Sequence, residues 1–140
     1  MTQTYIPTVL RRLVYERARS SCEYCLVPET VALTAHQVDH IIAQKHGGPT
    51  TADNLALSCA LCNKHKGSDL ASLDPETSEV ALLFHPRRDR WADHFQLAGA
   101  RVVPLTPVGR ATVRLLQLNQ PERIAERKLL IAAGALHLPE

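Results

Sequence analysis

A chain of 140 residues has the length of one domain, and 45% hydrophobic residues suffice for a modest buried core. The formal net charge of +2 neither demands nor excludes a polyanionic partner. The sequence has no apolar run of about 18 residues, which argues against a membrane partner, and Met1 to Tyr5 lack the pattern of an export signal, so we expect one cytoplasmic domain, residues 1–140.

A helix, a strand and a turn are predicted in the first third of the chain. Pro7 can open a helix that stops near Ser20. The segment from Val31 to Ile42 is rich in β-branched and apolar residues, which favours a strand. Gly47 and Gly48 then predict a turn.

A second strand and a second helix are predicted after this turn. Leu55 to Ser58 has the composition of a short strand. The residues from Ala60 to about His65 favour a short helix, and Gly67 suits the position just beyond a helix end. The predicted order is therefore strand, loop, strand, helix.

The remaining residues, about 71–140, predict a mostly helical C-terminal extension. Its predicted elements are a turn at Asp74–Thr77, a strand at Val80–Phe84, a helical turn at Pro86–His94, an extended piece at Val102–Val103, and helices at Pro107–Leu118 and Pro121–Ala133. Together with the first half, this pattern predicts an α+β fold.

The four cysteines form two pairs of the C-x2-C type, Cys22 with Cys25 and Cys59 with Cys62. This spacing is typical of four thiolates around one tetrahedral Zn2+, a closed structural site without an open ligand position. Ordinary buried thiols or a redox pair are the alternatives. Two matched pairs favour zinc, because neither alternative requires them.

A second group of residues lies between the cysteine pairs and just after them. Phosphodiester hydrolysis needs a base to activate water and charge neutralisation at phosphorus. The His40 imidazole can serve as the base, and the oxygens of Asp39 and Asn63 can hold a hard divalent cation. Alone, the Asp39–His40 pair would more simply be a turn carboxylate beside a packed histidine. Neighbouring side chains on a strand point to opposite faces, so we expect the site at the strand end.

The segment from Cys22 to Lys66 resembles the HNH endonuclease family. It carries the family elements in order: Cys-x2-Cys, Val-Asp-His-Ile-Ile, Gly-Gly, Asp-Asn-Leu and Cys-x2-Cys-Asn. The resemblance implies a ββα-metal core at about 20–70, with His40 as general base. It also implies that Asp39 and Asn63 bind Mg2+ or Mn2+, and that Asn54 fixes the loop that orients the base.

The resemblance implies a metal-dependent hydrolase that cleaves DNA phosphodiester bonds, leaving 5′-phosphate ends. The extension, about 71–140, is similar to that of a group of small bacterial HNH proteins, which assigns it no role. A zinc-dependent nucleic-acid-binding or adaptor module that does not cut is the alternative. A thiol redox protein ranks last, because it leaves Asp39, His40 and Asn54 without a function.

Basic residues accumulate after the second cysteine pair and are candidates for phosphate contacts. They are Lys64, Lys66, Arg87, Arg88 and Arg90. The alternative for each is a solvated surface position. The sequence leaves the oligomeric state open, a dimer included.

Overall fold

The computed structural model describes residues 5–139. These residues form five α-helices: α1 Thr8–Ala18, α2 Ala60–Lys66, α3 Trp91–His94, α4 Pro107–Leu115 and α5 Pro121–Ala132. Three antiparallel hairpins pair β1 Gln37–His40 with β2 Leu55–Ser58, β3 Ala71–Leu73 with β4 Val80–Leu82, and β5 Phe95–Ala98 with β6 Arg101–Pro104. None of these helices combines the length and apolar character needed to span a bilayer. Residues 1–4, on which the export prediction draws, lie outside the described range.

Helix α1 covers one side of the first hairpin. The helix follows Pro7 and ends at Arg19, which adopts the left-handed conformation with φ 54°. Its fully buried Val14 belongs to a small cluster with Val38 of β1 and Leu57 of β2. This apolar contact fixes the hairpin against α1.

The first hairpin and α2 form the predicted strand, loop, strand and helix. Val38 pairs with Leu57, and His40 pairs with Leu55, so His40 is the last residue of β1. Helix α2 begins after Cys59 and ends at Gly67, whose φ of 52° suits a residue without a side chain. The turn from strand to helix therefore begins at the second cysteine pair.

The predicted strand at Val31–Ile42 is too long, because only residues 37–40 pair with β2. Residues 29–31 form a 3₁₀ turn. The Glu29 carboxylate accepts hydrogen bonds from the backbone N–H of His36 and the hydroxyl of Tyr15, each at 2.7 Å. A side chain thus satisfies the backbone of this segment in place of a strand partner.

The extension contains the two predicted closing helices together with two hairpins. The sequence indicated parts of β4 and β6 but not their partners β3 and β5. The turn after β3 is tied to α4 by Arg110, which donates to both carboxylate oxygens of Asp74 at 2.9 and 2.7 Å. This pairing lowers the pKa of Asp74 to about 2.

The main core cluster joins the cysteine segment to the extension. It contains all four cysteines together with Trp91, Phe95 and Leu118. The buried Trp91 indole donates its Nε1–H to the Tyr24 carbonyl at 3.1 Å. This cluster therefore packs residues of the cysteine segment against residues of the extension, and the single domain of residues 1–140 stays a prediction.

Candidate active site

The four cysteine sulfurs meet at one buried point. All four Sγ atoms lie within 4.8 Å of one another, and Cys25 Sγ is 3.6 Å from Cys59 Sγ. A tetrahedral zinc ion with Zn–S bonds of about 2.3 Å requires sulfurs roughly 3.8 Å apart. The cluster is therefore compatible with a structural zinc site held by Cys22, Cys25, Cys59 and Cys62.

Each cysteine pair is a tight turn that aims its sulfurs at this point. The backbone N–H of Cys25 donates to Cys22 Sγ at 3.5 Å, and that of Cys62 donates to Cys59 Sγ at 3.4 Å. Such N–H groups favour thiolates, which are the form that binds metal. The second turn is also the start of α2.

Gln37 links Asn63 of α2 to the face of β1 that also carries Asp39. Gln37 and Asp39 are two residues apart on β1 and therefore point to the same face. The Asn63 side chain reaches this face from α2, where its Nδ2 donates to Gln37 Oε1 at 2.5 Å. Because Nδ2 is engaged, Oδ1 is the Asn63 atom that remains to bind a cation. A carboxylate and an amide oxygen suit a hard ion that keeps several waters.

Lys66 supports this face and does not extend into solvent. It is only 4% exposed, and its Nζ donates to the Ile41 carbonyl at 2.8 Å. Burial raises the pKa of the Asp39 carboxyl, an effect that the nearby Lys66 ammonium group opposes. Burial lowers the pKa of Lys66, and the negative charge of Asp39 opposes this effect. The prediction of a Lys66 phosphate contact is corrected accordingly, because its ammonium group is enclosed.

His40 is held at the strand end by a hydroxyl group. Its half-buried ring places Nε2 2.9 Å from Thr50 Oγ1. When Nε2 donates this hydrogen bond, Nδ1 is left unprotonated and can accept a proton from water. Sequence reasoning missed Thr50, since a threonine in a polar loop gives no signal.

Asn54 closes the loop that carries Thr50. Its Oδ1 accepts from the Ile42 N–H, and its Nδ2 donates to the carbonyls of Ile42 and Pro49, all at 2.9 Å. The buried amide thus has partners on both its ends. These bonds tie the loop that carries Thr50 to the end of β1, and the role of Asn54 in orienting the base stays a prediction.

Gly48 lets this loop close. A Cβ atom at this position would lie 1.7 Å from the Ile42 carbonyl oxygen and 2.8 Å from Asn54 Nδ2. No rotation of a side chain relieves a clash with backbone, so only glycine fits. The Gly-Gly element of the motif is therefore a packing requirement at Gly48.

The predicted phosphate contacts differ in their exposure. Lys64, Arg88 and Arg90 are exposed. Arg87 is half-buried and forms an ion pair with Glu23. Burial lowers the pKa of Arg87 to about 10. Arg87 remains charged at pH 7 and is paired with the Glu23 carboxylate, while Lys64, Arg88 and Arg90 extend into solvent.

Arginines also line an open cavity between α1 and the extension. The cavity has a volume of about 280 Å³, and its lining includes Arg17, Arg19, Arg87 and Arg90. The lining also includes the carboxylates of Glu23 and Asp89. Its balance of charge is positive and suits a phosphate group.

Comparison with known families identifies the central segment. Residues 22–69, about a third of the chain, match the family model described as HNH endonuclease. The match spans both cysteine pairs and the segment that carries Asp39, His40, Asn54 and Asn63. No curated protein and no solved structure is significantly similar to the chain.

Proposed function

Because residues 22–69 form an HNH domain, we propose that this protein is a metal-dependent endonuclease that hydrolyses DNA phosphodiester bonds. The observation that carries the proposal is the placement of His40. Thr50 bonds to its ring at the end of β1, and Asn63 bonds to Gln37, which shares a face of the same strand with Asp39. In this proposal the base and the two cation ligands act on one phosphodiester at this end of β1.

In this proposal His40 takes a proton from a water molecule, and the water attacks phosphorus in line. Asp39 and Asn63 would hold one Mg2+ or Mn2+ ion, which when bound supplies charge neutralisation at the phosphate and the leaving 3′-oxygen. Lys66 holds the strand end through Ile41, and Asn54 holds the loop through Ile42. These two side chains keep the reacting groups in place without touching DNA.

The four cysteines hold a structural zinc ion in the same proposal. Their buried tetrad has no open position, so zinc takes no part in the chemical step. The cytoplasm suits this site, because thiols remain reduced there.

The proposed function is tested by incubating purified protein with supercoiled, linear and single-stranded DNA. We expect cleavage with Mg2+ or Mn2+ and none with a chelator of those ions. DNA binding without cleavage under every metal condition would favour the non-cutting binding or adaptor module instead.

Alanine at Asp39 or Asn63 should weaken binding of the catalytic ion. Removing one oxygen ligand lowers metal affinity before it changes the mechanism, so activity should fall at low Mg2+ and partly return at high Mg2+ or Mn2+. The measurement is a titration of cleavage rate against metal concentration. We expect the midpoint to move to higher metal by about 10-fold or more, the scale on which changes around a metal site act.

Asp53→Ala is the matched control, because it removes an exposed carboxylate near the same loop. Its cleavage rate should depend on metal concentration as that of the wild type does, and all three variants should retain their zinc. Titration midpoints for Asp39→Ala and Asn63→Ala equal to the wild type would remove both residues from the ion site.

Neutralising the exposed basic residues should weaken DNA binding in a salt-dependent way. Each lost phosphate contact lowers the slope of log affinity against log salt by about 0.9. The triple change Lys64→Gln, Arg88→Gln and Arg90→Gln should therefore lower it by about 2 to 3, for all DNA sequences alike. Binding is measured in chelator, so that cleavage does not interfere.

A control of equal charge replaces three exposed basic residues elsewhere by glutamine: Arg101, Arg114 and Lys128. This control should leave the slope close to the wild-type value. If the slope falls in the control and stays unchanged in the first triple variant, the DNA surface lies on the other side of the extension.

A further inference from the structure

Two arginines of α5 are buried in the core of the protein. Arg123 is 5% exposed and Arg127 is 0% exposed. A buried charge is normally paired with an opposite charge. Within residues 5–139 neither α5 arginine forms an ion pair with a carboxylate, in contrast to Arg87 and Arg110.

The groups that Arg123 reaches are sulfur atoms. Its Nη2 lies 3.1 Å from Cys62 Sγ and 3.8 Å from Cys59 Sγ, while Nη1 donates to the Leu116 carbonyl at 2.7 Å. Arg123 thus connects α5 to the cysteine pair that begins α2.

Arg127 lies one turn further along α5 and has different partners. Its Nε donates to the Ala100 carbonyl and its Nη2 to the Leu118 carbonyl, both at 2.7 Å. These carbonyls are neutral, so the hydrogen bonds of Arg127 do not pair its charge with an opposite one. The cysteine cluster is the anionic group that the two α5 arginines can share.

Charge balance explains why two arginines are buried near the four cysteines. Four thiolates around Zn2+ carry a net charge of about −2, and zinc binding keeps all four cysteines as thiolates. The two buried guanidinium groups supply the opposite charge. Without the metal, the arginines would remain buried with no counter-charge.

We propose that α5 contributes two arginines to the zinc site. Arg123 donates hydrogen bonds to the thiolates of Cys59 and Cys62, and Arg127 balances the rest of the negative charge of the four thiolates around zinc. Helix α5 lies outside the segment that matches the HNH model. The extension thereby stabilises the metal site of the HNH domain from outside it. Because Cys62 precedes Asn63, Arg123 also fixes the start of the helix that carries a ligand of the proposed catalytic ion.

The test compares three variants of the full chain, Arg123→Gln, Arg123→Lys and Arg127→Gln. Zinc affinity is measured by competition with a chromophoric chelator. Arg123→Gln should bind zinc about 10- to 100-fold more weakly, the usual effect of removing a group that contacts metal ligands. Arg123→Lys keeps the charge and should recover part of this loss. Arg127→Gln should lose less affinity than Arg123→Gln, since Arg127 does not touch sulfur.

A second measurement separates a contact with sulfur from a general loss of stability. In protein loaded with cadmium-113, the NMR shift reports on the sulfur ligands themselves. It should move in Arg123→Gln and in Arg123→Lys and stay in place in Arg127→Gln. If Arg123→Gln does not fold, Arg123→Lys alone provides this comparison.

Wild-type zinc affinity and an unmoved cadmium shift in the Arg123 variants would overturn the proposal. Equal losses of affinity in Arg123→Gln and Arg127→Gln, with unmoved cadmium shifts in both, would also overturn it, because they indicate a structural role alone. Neither measurement involves DNA, so their failure is distinct from a failure of the proposed nuclease activity.

Discussion

Alanine at His40 is expected to abolish DNA cleavage while leaving the fold and DNA binding nearly intact. A general base acts in the transition state and contributes little to ground-state affinity. The rate should fall by about 100-fold or more, the usual scale for a positioned base. Cleavage of supercoiled plasmid with enzyme in excess measures the chemical step, and binding in chelator checks affinity.

Two further variants show whether the effect belongs to the site. His46→Ala removes an exposed histidine of the same loop, bonded to the Ser68 carbonyl, and should cut normally. Thr50→Val removes the hydroxyl group that holds the His40 ring and should lower the rate less than His40→Ala does. Wild-type cleavage by a His40→Ala preparation shown free of other nucleases would refute the role of His40.

Loss of one cysteine ligand is expected to unfold the HNH domain. Binding free energies of about 10–16 kcal/mol for structural zinc in small domains are as large as the total stability of a typical protein. Cys59→Ser, or chelation of the wild type, should therefore eliminate the cooperative thermal transition. Elemental analysis should find one zinc per wild-type chain, and circular dichroism follows the melting.

Ser58→Ala is the control for this experiment, because it changes the buried residue next to Cys59 without removing a ligand. It should keep its zinc and a cooperative transition. A zinc-free wild type that melts cooperatively, or a Cys59→Ser protein that melts like the wild type, would rule out a zinc requirement.

The parts of the fold that the sequence predicted are those with local signals. Strand β2 has the predicted bounds Leu55–Ser58, and α2 ends at the predicted Gly67. The cysteine spacing likewise predicted one cluster, which the structure contains. In each case a few neighbouring residues determine the outcome.

The parts that the sequence did not predict depend on partners far along the chain. Lys66 resembles any surface lysine, until the fold places its ammonium group against the Ile41 carbonyl. Arg123 contacts Cys62, which lies 61 positions earlier. Thr50 reaches His40 only because Asn54 closes the loop between them. Burial and long-range hydrogen bonds, which have no short sequence pattern, determine these roles.

The hydrogen bond between Trp91 and the Tyr24 carbonyl places an intrinsic fluorophore beside the cysteine cluster. Trp91 is the one tryptophan of the sequence, and its indole bonds to the loop between Cys22 and Cys25. Light absorbed at the red edge of the protein spectrum therefore excites a single fluorophore at the junction of the metal site and the extension. The emission wavelength and fluorescence anisotropy of Trp91 should therefore change when solvent enters that junction. This change can be recorded in real time, without a label and without DNA.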